Sequence, residues 1–385
     1  MLSNTSKRTV RRGLCGMIGR GRGLATRSAS RGGSRMTATR SGFIAEPLPR
    51  QPIADREQTG QLTAGKSLQS SADATVLVSP SRSFAFWFSP TPIPDVSPHV
   101  GVVPLRVLTG GGPVKLWAGT ESGPLDCAGE AADEHIVVHA RVPAGPGPEM
   151  AGATLGIYRE LLTQVATLRY PHLVRVWNFV PSINHGASDD ETYAQFNHGR
   201  AAAFDQFGLR PGQYPAATAV GSPPGTPLAV VILASRIEPL AIENPRQVSA
   251  YHYPRQYGPR PPAFARAMML PDRARDRLFV SGTSSIVGHQ SQHGNVQSQL
   301  LETLANLERL MGTVAERLPG TSLGKQASWR VYLRDPADLD LVQAELTGRL
   351  GNSIAFVQAD ICRRELRLEI EGVCELVGPG DSPRS

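Results

Sequence analysis

Arginine and tyrosine side chains are concentrated in one proline-rich segment of the chain, EPLAIENPRQVSAYHYPRQYGPRPPAFAR (238–266). A guanidinium group can bind a carboxylate through two parallel hydrogen bonds, and a tyrosine adds a flat apolar wall with one phenolic donor. Because proline restricts the backbone, we expect a rigid irregular loop, the kind of element on which binding groups are often carried. The segment therefore predicts a site for a small anionic ligand, and a solvated basic loop is the alternative.

A second pair of such side chains lies in ETYAQFNHGRAAAF (191–204). Tyr193 and Arg200 are seven residues apart, so they share one face if the stretch is helical. The alternative is that Arg200 forms a structural salt bridge with the acidic residues at the start of the segment.

Acidic side chains alternate with apolar ones in LRLEIEG (366–372), as in a strand with one polar face. The polar face carries Glu369 and Glu371, and if it borders a cleft, burial would raise the pKa of one carboxyl and allow it to act as a general acid. If the face meets water, these are ordinary exposed charges. Cys362 precedes the strand, and a free cysteine is most often a small buried apolar residue.

Several common site patterns are missing from the sequence. His289 and His293 are four residues apart, but no HExxH motif or nearby carboxylate cluster accompanies them. The four cysteines form no CxxC pair, and the chain has no Walker motif, no strand leading into GxGxxG and no GxSxG elbow. We therefore expect no metal and no nucleotide or nicotinamide cofactor.

The positive charge belongs to one end of the chain. The 385 residues carry a net charge of +7, but residues 1–40 hold ten Lys or Arg and no acidic residue, which leaves 30 basic and 33 acidic residues in 41–385. The body is thus not a binder of nucleic acid. With 40% hydrophobic residues it can fill a core, and no apolar window is long enough to span a membrane.

Residues 1–72 are predicted to form a basic, disordered N-terminal extension, and residues 378–385 a disordered tail. Two other interpretations of the Arg-rich start remain open: an organellar transit peptide, or a start codon assigned too far upstream with Met36 as the true start. The scattered cysteines favour a reducing compartment, and we expect a cytoplasmic protein.

The periodic segments predict an α+β protein of two related lobes, residues 73–225 and 226–377, each a mixed β-sheet with helices on one face. In the first lobe we expect strands at 74–80, 84–88, 136–142 and 173–180 and a helix at 149–168. In the second we expect strands at 228–237, 277–283 and 329–334, helices at 294–317 and 336–349, and a final strand pair at 354–361 and 366–376.

Five blocks of sequence together resemble the chorismatases, which remove pyruvate from chorismate. They are the 191–204 segment, the 238–266 segment, RVWNFVPSIN (175–184), SGTSSIVGHQSQHGNVQSQLLETLANL (281–307) and QADICRRELRLEIEG (358–372). The resemblance covers roughly residues 74–377. The 281–307 block also resembles the YjgF-type deaminases, whose α+β trimer the chorismatase fold mimics in one chain, and it implies a YjgF- and chorismate-mutase-like C-terminal lobe.

The resemblance implies roles for particular residues. Arg200 and Arg266 match the family's substrate-binding arginines, Tyr193 and Tyr253 accompany them, and Glu369 matches the catalytic glutamate. Cys362 stands where the 3-hydroxybenzoate synthase branch carries a cysteine. Ser284 lines the same substrate site, but it differs from the small apolar residue expected there.

The implied reaction is conversion of chorismate to 3-hydroxybenzoate and pyruvate by a bacterial enzyme that needs no cofactor and works as a monomer. Within the family, the alternatives are hydrolysis to a dihydroxycyclohexadiene carboxylate plus pyruvate, and a mixed 3- and 4-hydroxybenzoate product. Outside it, the alternative is a non-catalytic binder of small anions on the same scaffold.

Overall fold

The structure, a computed structural model, describes residues 134–272, 275–350 and 353–378 and the backbone of five short strands nearer the N-terminus. Those five strands are β1 (Asp73–Leu77), β2 (Ala85–Phe88), β3 (Val100–Val103), β4 (Arg106–Thr109) and β5 (Val114–Lys115). Strands β3, β2 and β5 form a small sheet of their own. Strand β1 belongs to the first main sheet and β4 to the second.

The first main sheet has the strand order β1-β6-β9-β7-β8. Its further strands are β6 (His135–Val142), β7 (His172–Pro181), β8 (Ala216–Ser222) and β9 (Leu228–Ser235). Two helices, α1 (Glu149–Thr167) and α2 (Thr192–Gln206), pack against each other beside it. Helix α1 buries residues at helical spacing, among them Ile157, Leu161 and Val165, in one core with the sheet.

The second main sheet has the order β10-β11-β12-β17-β15-β16-β4. Its strands are β10 (Leu240–Ile242), β11 (Ala267–Leu270), β12 (Arg277–Thr283), β15 (Ser322–Leu333), β16 (Ile354–Gln358) and β17 (Leu368–Val377), and β13 (Ile286–Val287) with β14 (Gln290–Ser291) forms a separate hairpin. Helices α3 (Val296–Arg317) and α4 (Leu339–Leu346) share a core with this sheet. Asn295 caps α3 by accepting a hydrogen bond from the Ser298 N–H.

The two main sheets meet through the faces that the helices leave uncovered. A third core joins Trp177 and Phe179 of the first sheet with Phe279 and Tyr332 of the second. Strand β8 lies beside β12, and the Ala217 N–H donates to the Ser281 hydroxyl at 2.8 Å. The order of layers is therefore helices, sheet, sheet, helices, and any site on the inner faces draws residues from both halves of the chain.

The mixed α+β architecture predicted from the sequence is confirmed, but two strand assignments were wrong. Strand β9, assigned to the second lobe, pairs with β6 and β7 of the first sheet, so the change of sheet follows Ser235 rather than residue 225. All eight of its residues are buried, and such a strand shows no polar face from which its partners could be inferred.

The second error concerns the final strand pair. Strands β16 and β17 do not pair, because β15 lies between them, parallel to β16 and antiparallel to β17. A parallel pair needs a crossover, and α4 supplies it between β15 and β16. The strands that were not predicted are β3, β4, β5, β8, β10, β11, β13 and β14. Residues 1–72 and 379–385 lie outside the described part. Among the described helices, none combines the length and apolar character needed to cross a bilayer.

Candidate active site

A cavity of about 150 Å³ lies between the two halves of the fold. All seven residues singled out from the sequence line it, namely Tyr193, Arg200, Tyr253, Arg266, Ser284, Cys362 and Glu369. They come from five places in the fold: α2, the proline-rich 238–266 loop, the end of β12, the turn that follows β16, and strand β17. Residues separated by up to 176 positions in sequence thus share one enclosed space.

Glu369 lies on β17 and is only 4% exposed. Burial first and the nearby Glu371 charge second raise the pKa of its carboxyl to about 8, against the opposing effects of Arg175, the Ser284 hydroxyl and Arg266. At neutral pH this side chain therefore carries a proton. A carboxylic acid held in that form is what general-acid catalysis requires.

The Glu369 carboxyl is accommodated by a glycine on the neighbouring strand. A Cβ atom at Gly282 would lie 1.8 Å from Oε1 of Glu369, a separation that atoms cannot adopt. Gly282 itself lines the cavity, and its N–H donates to the Thr218 hydroxyl at 3.1 Å. The missing side chain at this position leaves the space in which the acid sits.

Two buried arginines face the cavity without a counter-ion. Arg200 is 2% exposed and donates to the Asn197 side-chain oxygen at 2.7 Å; Arg266 is 4% exposed and donates to the Tyr253 hydroxyl at 2.8 Å. Within the described part of the chain neither forms an ion pair, and the Nε atom of each has no hydrogen-bond partner. Burying a cation in this way is costly unless an anion joins it, so the pair indicates an anionic ligand.

Aromatic rings form much of the remaining wall. The ring of Tyr193 stacks on Phe196 at 6.3 Å, and burial raises the pKa of its phenol above the ordinary value. The Arg266 guanidinium lies 5.7 Å from the ring of Tyr253 and 5.1 Å from that of Phe264. The Tyr253 and Phe264 rings hold Arg266 in place by packing, and the Tyr193 phenol stays neutral and able to donate a hydrogen bond.

Cys362 and Ser284 complete the wall near Glu369. Burial, followed by the Glu369 charge, raises the pKa of the Cys362 thiol to about 12, so the sulfur is a neutral thiol and not a thiolate. The Ser284 hydroxyl donates to the Leu368 carbonyl at 2.9 Å and also lies within reach of the Glu369 carboxyl. A polar group thus stands where a small apolar residue was expected.

Among the lining residues that were not identified as site residues from the sequence, three bear on the chemistry of the cavity. Arg363 places its guanidinium 4.1 Å from the ring of Tyr257 and 5.3 Å from that of Tyr253. It stands next to Cys362, so its position in that block was a usable signal. Thr218 belongs to a strand that was not predicted, and Gly282 carries no chemistry of its own. These two could be found only once the strands were paired.

A compact ion cluster lies behind the cavity wall, centred on Glu371, which is 3% exposed. Its carboxylate accepts hydrogen bonds from Arg175 and Arg330, each at 2.5 Å, from Tyr332 at 3.1 Å and from Trp177 at 3.2 Å. The Thr218 hydroxyl is a further donor to it. This carboxylate is fully engaged within the protein, which suits a structural role.

Known proteins share these features of sequence and fold. The family model described as "Chorismatase FkbO/Hyg5-like, N-terminal" matches residues 119–234. A protein of Streptomyces hygroscopicus named "Chorismatase" is 38% identical over 240 residues, which is 60% of this chain and 70% of the relative. Another from the same organism, named "3-hydroxybenzoate synthase", is 38% identical over 276 residues, 67% of this chain and 80% of the relative.

A solved structure agrees with these sequence matches. The crystal structure of a chorismatase at 1.08 Å resolution aligns with a TM-score of 0.57 at 35% identity. The alignment covers 63% of this chain and 75% of that one. Similarity in sequence and in fold therefore extends over most of the described residues.

Proposed function

Since this chain belongs to the chorismatase family, we propose that it acts on chorismate, removes the enolpyruvyl group as pyruvate and forms 3-hydroxybenzoate. One observation carries the proposal: a single cavity combines two buried arginines that lack counter-ions with a buried carboxyl that holds its proton at neutral pH. The first feature suits a dianion, and the second suits a substrate that must be protonated on carbon.

The charges of the cavity match the charges of chorismate. The substrate has one carboxylate on its ring and one on its enolpyruvyl arm, and Arg200 and Arg266 supply one guanidinium for each. Tyr253 accepts a hydrogen bond from Arg266, and Tyr193 stacks on Phe196, whose ring lies 5.0 Å from the Arg200 guanidinium. Both tyrosines are thus placed to orient the bound molecule. In this arrangement substrate binding supplies the missing negative charge, so the cost of burying the two cations is recovered when the complex forms.

Glu369 provides the chemical step. An enol ether resists hydrolysis near neutral pH until its terminal methylene carbon is protonated, and the protonated carboxyl of Glu369 is the donor. The new C–H bond leaves an oxocarbenium ion, and the carboxylate that remains on Glu369 stabilises this cation electrostatically. The proton passes from an oxygen of Glu369 to carbon, and no redox change occurs.

The fate of the oxocarbenium ion determines the product. Capture by the neighbouring ring hydroxyl leads on to 3-hydroxybenzoate and pyruvate, which together have the composition of chorismate. Capture by water gives the diene diol and pyruvate instead. We assign the first route, because Cys362 presents a neutral thiol to the cavity beside Glu369 and can assist opening and aromatisation of a ring intermediate.

Hydrolysis to the diene diol is the second candidate, and Ser284 is the observation that favours it. A hydroxyl at this place in the wall can hold a water molecule close to Glu369. The relatives named "Chorismatase" and "3-hydroxybenzoate synthase" are both 38% identical to this chain, so identity does not separate the two reactions.

The test is incubation of the purified chain with chorismate, with pyruvate followed by a lactate-dehydrogenase-coupled assay and aromatic products separated by chromatography against standards. We expect equal amounts of pyruvate and 3-hydroxybenzoate. Pyruvate with the diene diol as the main partner would establish hydrolysis, and pyruvate with a mixture of 3- and 4-hydroxybenzoate would establish the mixed synthase. Binding of chorismate without release of pyruvate would show that the protein is a non-catalytic binder of small anions.

Cys362→Ala tests the branch assignment. We expect the product mixture to shift from 3-hydroxybenzoate towards the diene diol, because water can enter the space that the thiol fills and the thiol no longer assists aromatisation. Cys374→Ala is the matched control, since Cys374 is also a free cysteine but lies on β17 in the core beside α3, outside the cavity. An unaltered product ratio in Cys362→Ala would remove Cys362 from product selection.

A further inference from the structure

The Arg334 side chain, at the end of β15, uses all five of its N–H donors on neighbouring protein groups. Nε donates to the Leu366 carbonyl at 2.8 Å, and Nη1 donates to Asn184 Oδ1 at 3.0 Å and to Asp360 Oδ1 at 2.5 Å. Nη2 donates to the carbonyls of Ile361 at 3.1 Å and Arg363 at 2.9 Å. Arg334 does not line the cavity, so these contacts organise protein and not ligand.

Four of these five bonds reach one turn, residues 360–366, between β16 and β17. Apart from an isolated bridge between Asp360 and Gly221, the segment pairs with no strand, and three of its carbonyl oxygens accept from this single guanidinium. Two of these carbonyls have a second donor, since the Ile361 carbonyl also accepts from Asn184 and the Arg363 carbonyl from the Leu366 N–H. What Arg334 adds is a single planar group that connects all three carbonyls and the Asp360 carboxylate, so the shape of the turn depends on it.

The position of Cys362 follows from two of the contacts. The carbonyls immediately before and after it both point at the same Nη2 atom. The backbone therefore bends around the guanidinium, and the Cys362 side chain lines the cavity together with that of Arg363.

Asn184 reinforces the same turn from the other sheet. It follows β7, accepts from Arg334 through Oδ1 and donates through Nδ2 to the Ile361 carbonyl at 3.0 Å. The two side chains and the turn thus form a closed set of hydrogen bonds across the junction of the sheets. A lysine in place of Arg334 would keep the charge but lose the planar fork that matches several acceptors at once.

We propose that Arg334 is a positioning residue that fixes the 360–366 turn and, through the placement of Cys362, helps to select the reaction product. This inference rests on the proposed function, because it takes Cys362 to steer the reaction. The placement of the thiol, however, can be measured without any turnover.

The experiment compares Arg334→Lys with the parent protein by two measurements, the ratio of 3-hydroxybenzoate to diene diol and the rate of Cys362 alkylation by iodoacetamide, mapped by peptide mass. Alkylation of Cys374 in the same sample is the internal reference. Arg349→Lys is the matched control, because Arg349 forms an exposed pair with Glu345. If Arg334→Lys fails to fold, as judged by thermal unfolding, Asn184→Ala replaces it and removes one side of the hydrogen-bonded set.

We expect the product ratio to move towards the diene diol by about tenfold, which is less than the roughly 10²-fold effect of misplacing a reacting group by a full ångström. Alkylation of Cys362 is expected to accelerate by about tenfold relative to Cys374, because the turn opens more often. A purely structural role would lower the melting temperature and total turnover but leave the ratio unchanged.

The experiments distinguish a failure of the Arg334 inference from a failure of the steering role proposed for Cys362. If Cys362→Ala shifts the ratio and Arg334→Lys does not, Arg334 has no part in product selection. If Cys362→Ala leaves the ratio unchanged, the steering role of Cys362 in the proposed function fails, and the alkylation rate alone decides on positioning. An unchanged alkylation rate then overturns the positioning role as well.

Discussion

Glu369 and Glu371 lie two residues apart on β17, point to the same face and are 4% and 3% exposed, yet their surroundings differ. Glu371 accepts hydrogen bonds from two arginines and three neutral donors. Glu369 faces a cavity, and the pKa of its carboxyl is raised to about 8. Burial alone therefore does not identify the acid, and what separates the two residues is whether the protein supplies compensating charge.

The arginines divide in the same way. Arg175 and Arg330 are buried beside Glu371 and pair with it. Arg200 and Arg266 are equally buried, but neither forms an ion pair within the described part of the chain. Arg175 connects the first sheet to Glu371 of the second sheet, whereas Arg330 pairs with Glu371 within the second sheet. The other two arginines leave positive charge for a ligand to neutralise. Substitutions of Glu371 and its paired arginines should consequently change stability, whereas substitutions of Glu369, Arg200 and Arg266 should change turnover.

Glu369→Gln is expected to have the largest effect. The amide keeps the shape of the side chain but cannot deliver the proton, so turnover should fall by about 10²–10⁴-fold while chorismate affinity and the melting temperature are retained. Pyruvate release and thermal unfolding measure the two properties. Glu375→Gln, on the same strand but outside the cavity, is the matched control. Unchanged turnover in Glu369→Gln would exclude Glu369 from the mechanism.

Glu371→Gln should have the opposite effect to Glu369→Gln, with a loss of stability as the main change and not a loss of turnover. Removing the negative charge leaves Arg175 and Arg330 buried without their counter-ion, so we expect a loss of about 3–5 kcal/mol in the free energy of unfolding. Denaturant titration measures this free energy of unfolding. If stability is unchanged while turnover falls as far as in Glu369→Gln, the division between a structural and a catalytic carboxylate is wrong.

Arg200→Met and Arg266→Met test the uncompensated cations. Each variant loses charged hydrogen bonds to a substrate carboxylate, worth about 1.5–3 kcal/mol, so kcat/KM should fall roughly 10- to 100-fold or somewhat more. Stability should not fall, because an unpaired buried charge is removed. Arg175→Met is the control and should lose stability. Destabilisation by Arg200→Met equal to that by Arg175→Met would indicate that Arg200 is structural.

The pH dependence of turnover is the mildest test. Because the acid must be protonated and its pKa is about 8, turnover should be level below pH 8 and fall about tenfold per pH unit above it. The folded protein retains this proton between the ordinary value of 4.5 and about 8, so the contribution of Glu369 to stability declines as pH rises through that window. A turnover profile that falls near pH 4.5 would assign Glu369 an ordinary pKa.

Much of the local structure followed from sequence patterns. The apolar periodicity of residues 149–168 and 294–317 predicted α1 and α3, and the alternation in LRLEIEG predicted that Glu369 and Glu371 share a face. Resemblance to the chorismatases brought together seven residues that all line one cavity. Strand β9 was assigned to the wrong sheet, since a strand buried on both faces carries no information about its neighbours.

The sequence by itself determined the class of elements, their order and the chemical types gathered at the site, because helix and strand periods and the resemblance to the chorismatases are contained within short segments. Only the tertiary structure decided which charges are compensated. The Arg175 and Glu371 partners are 196 residues apart, and the space for Glu369 depends on the absence of a side chain at Gly282 on a neighbouring strand. Electrostatic and steric interactions act over a few ångströms, so these outcomes depend on strand pairing across the two sheets.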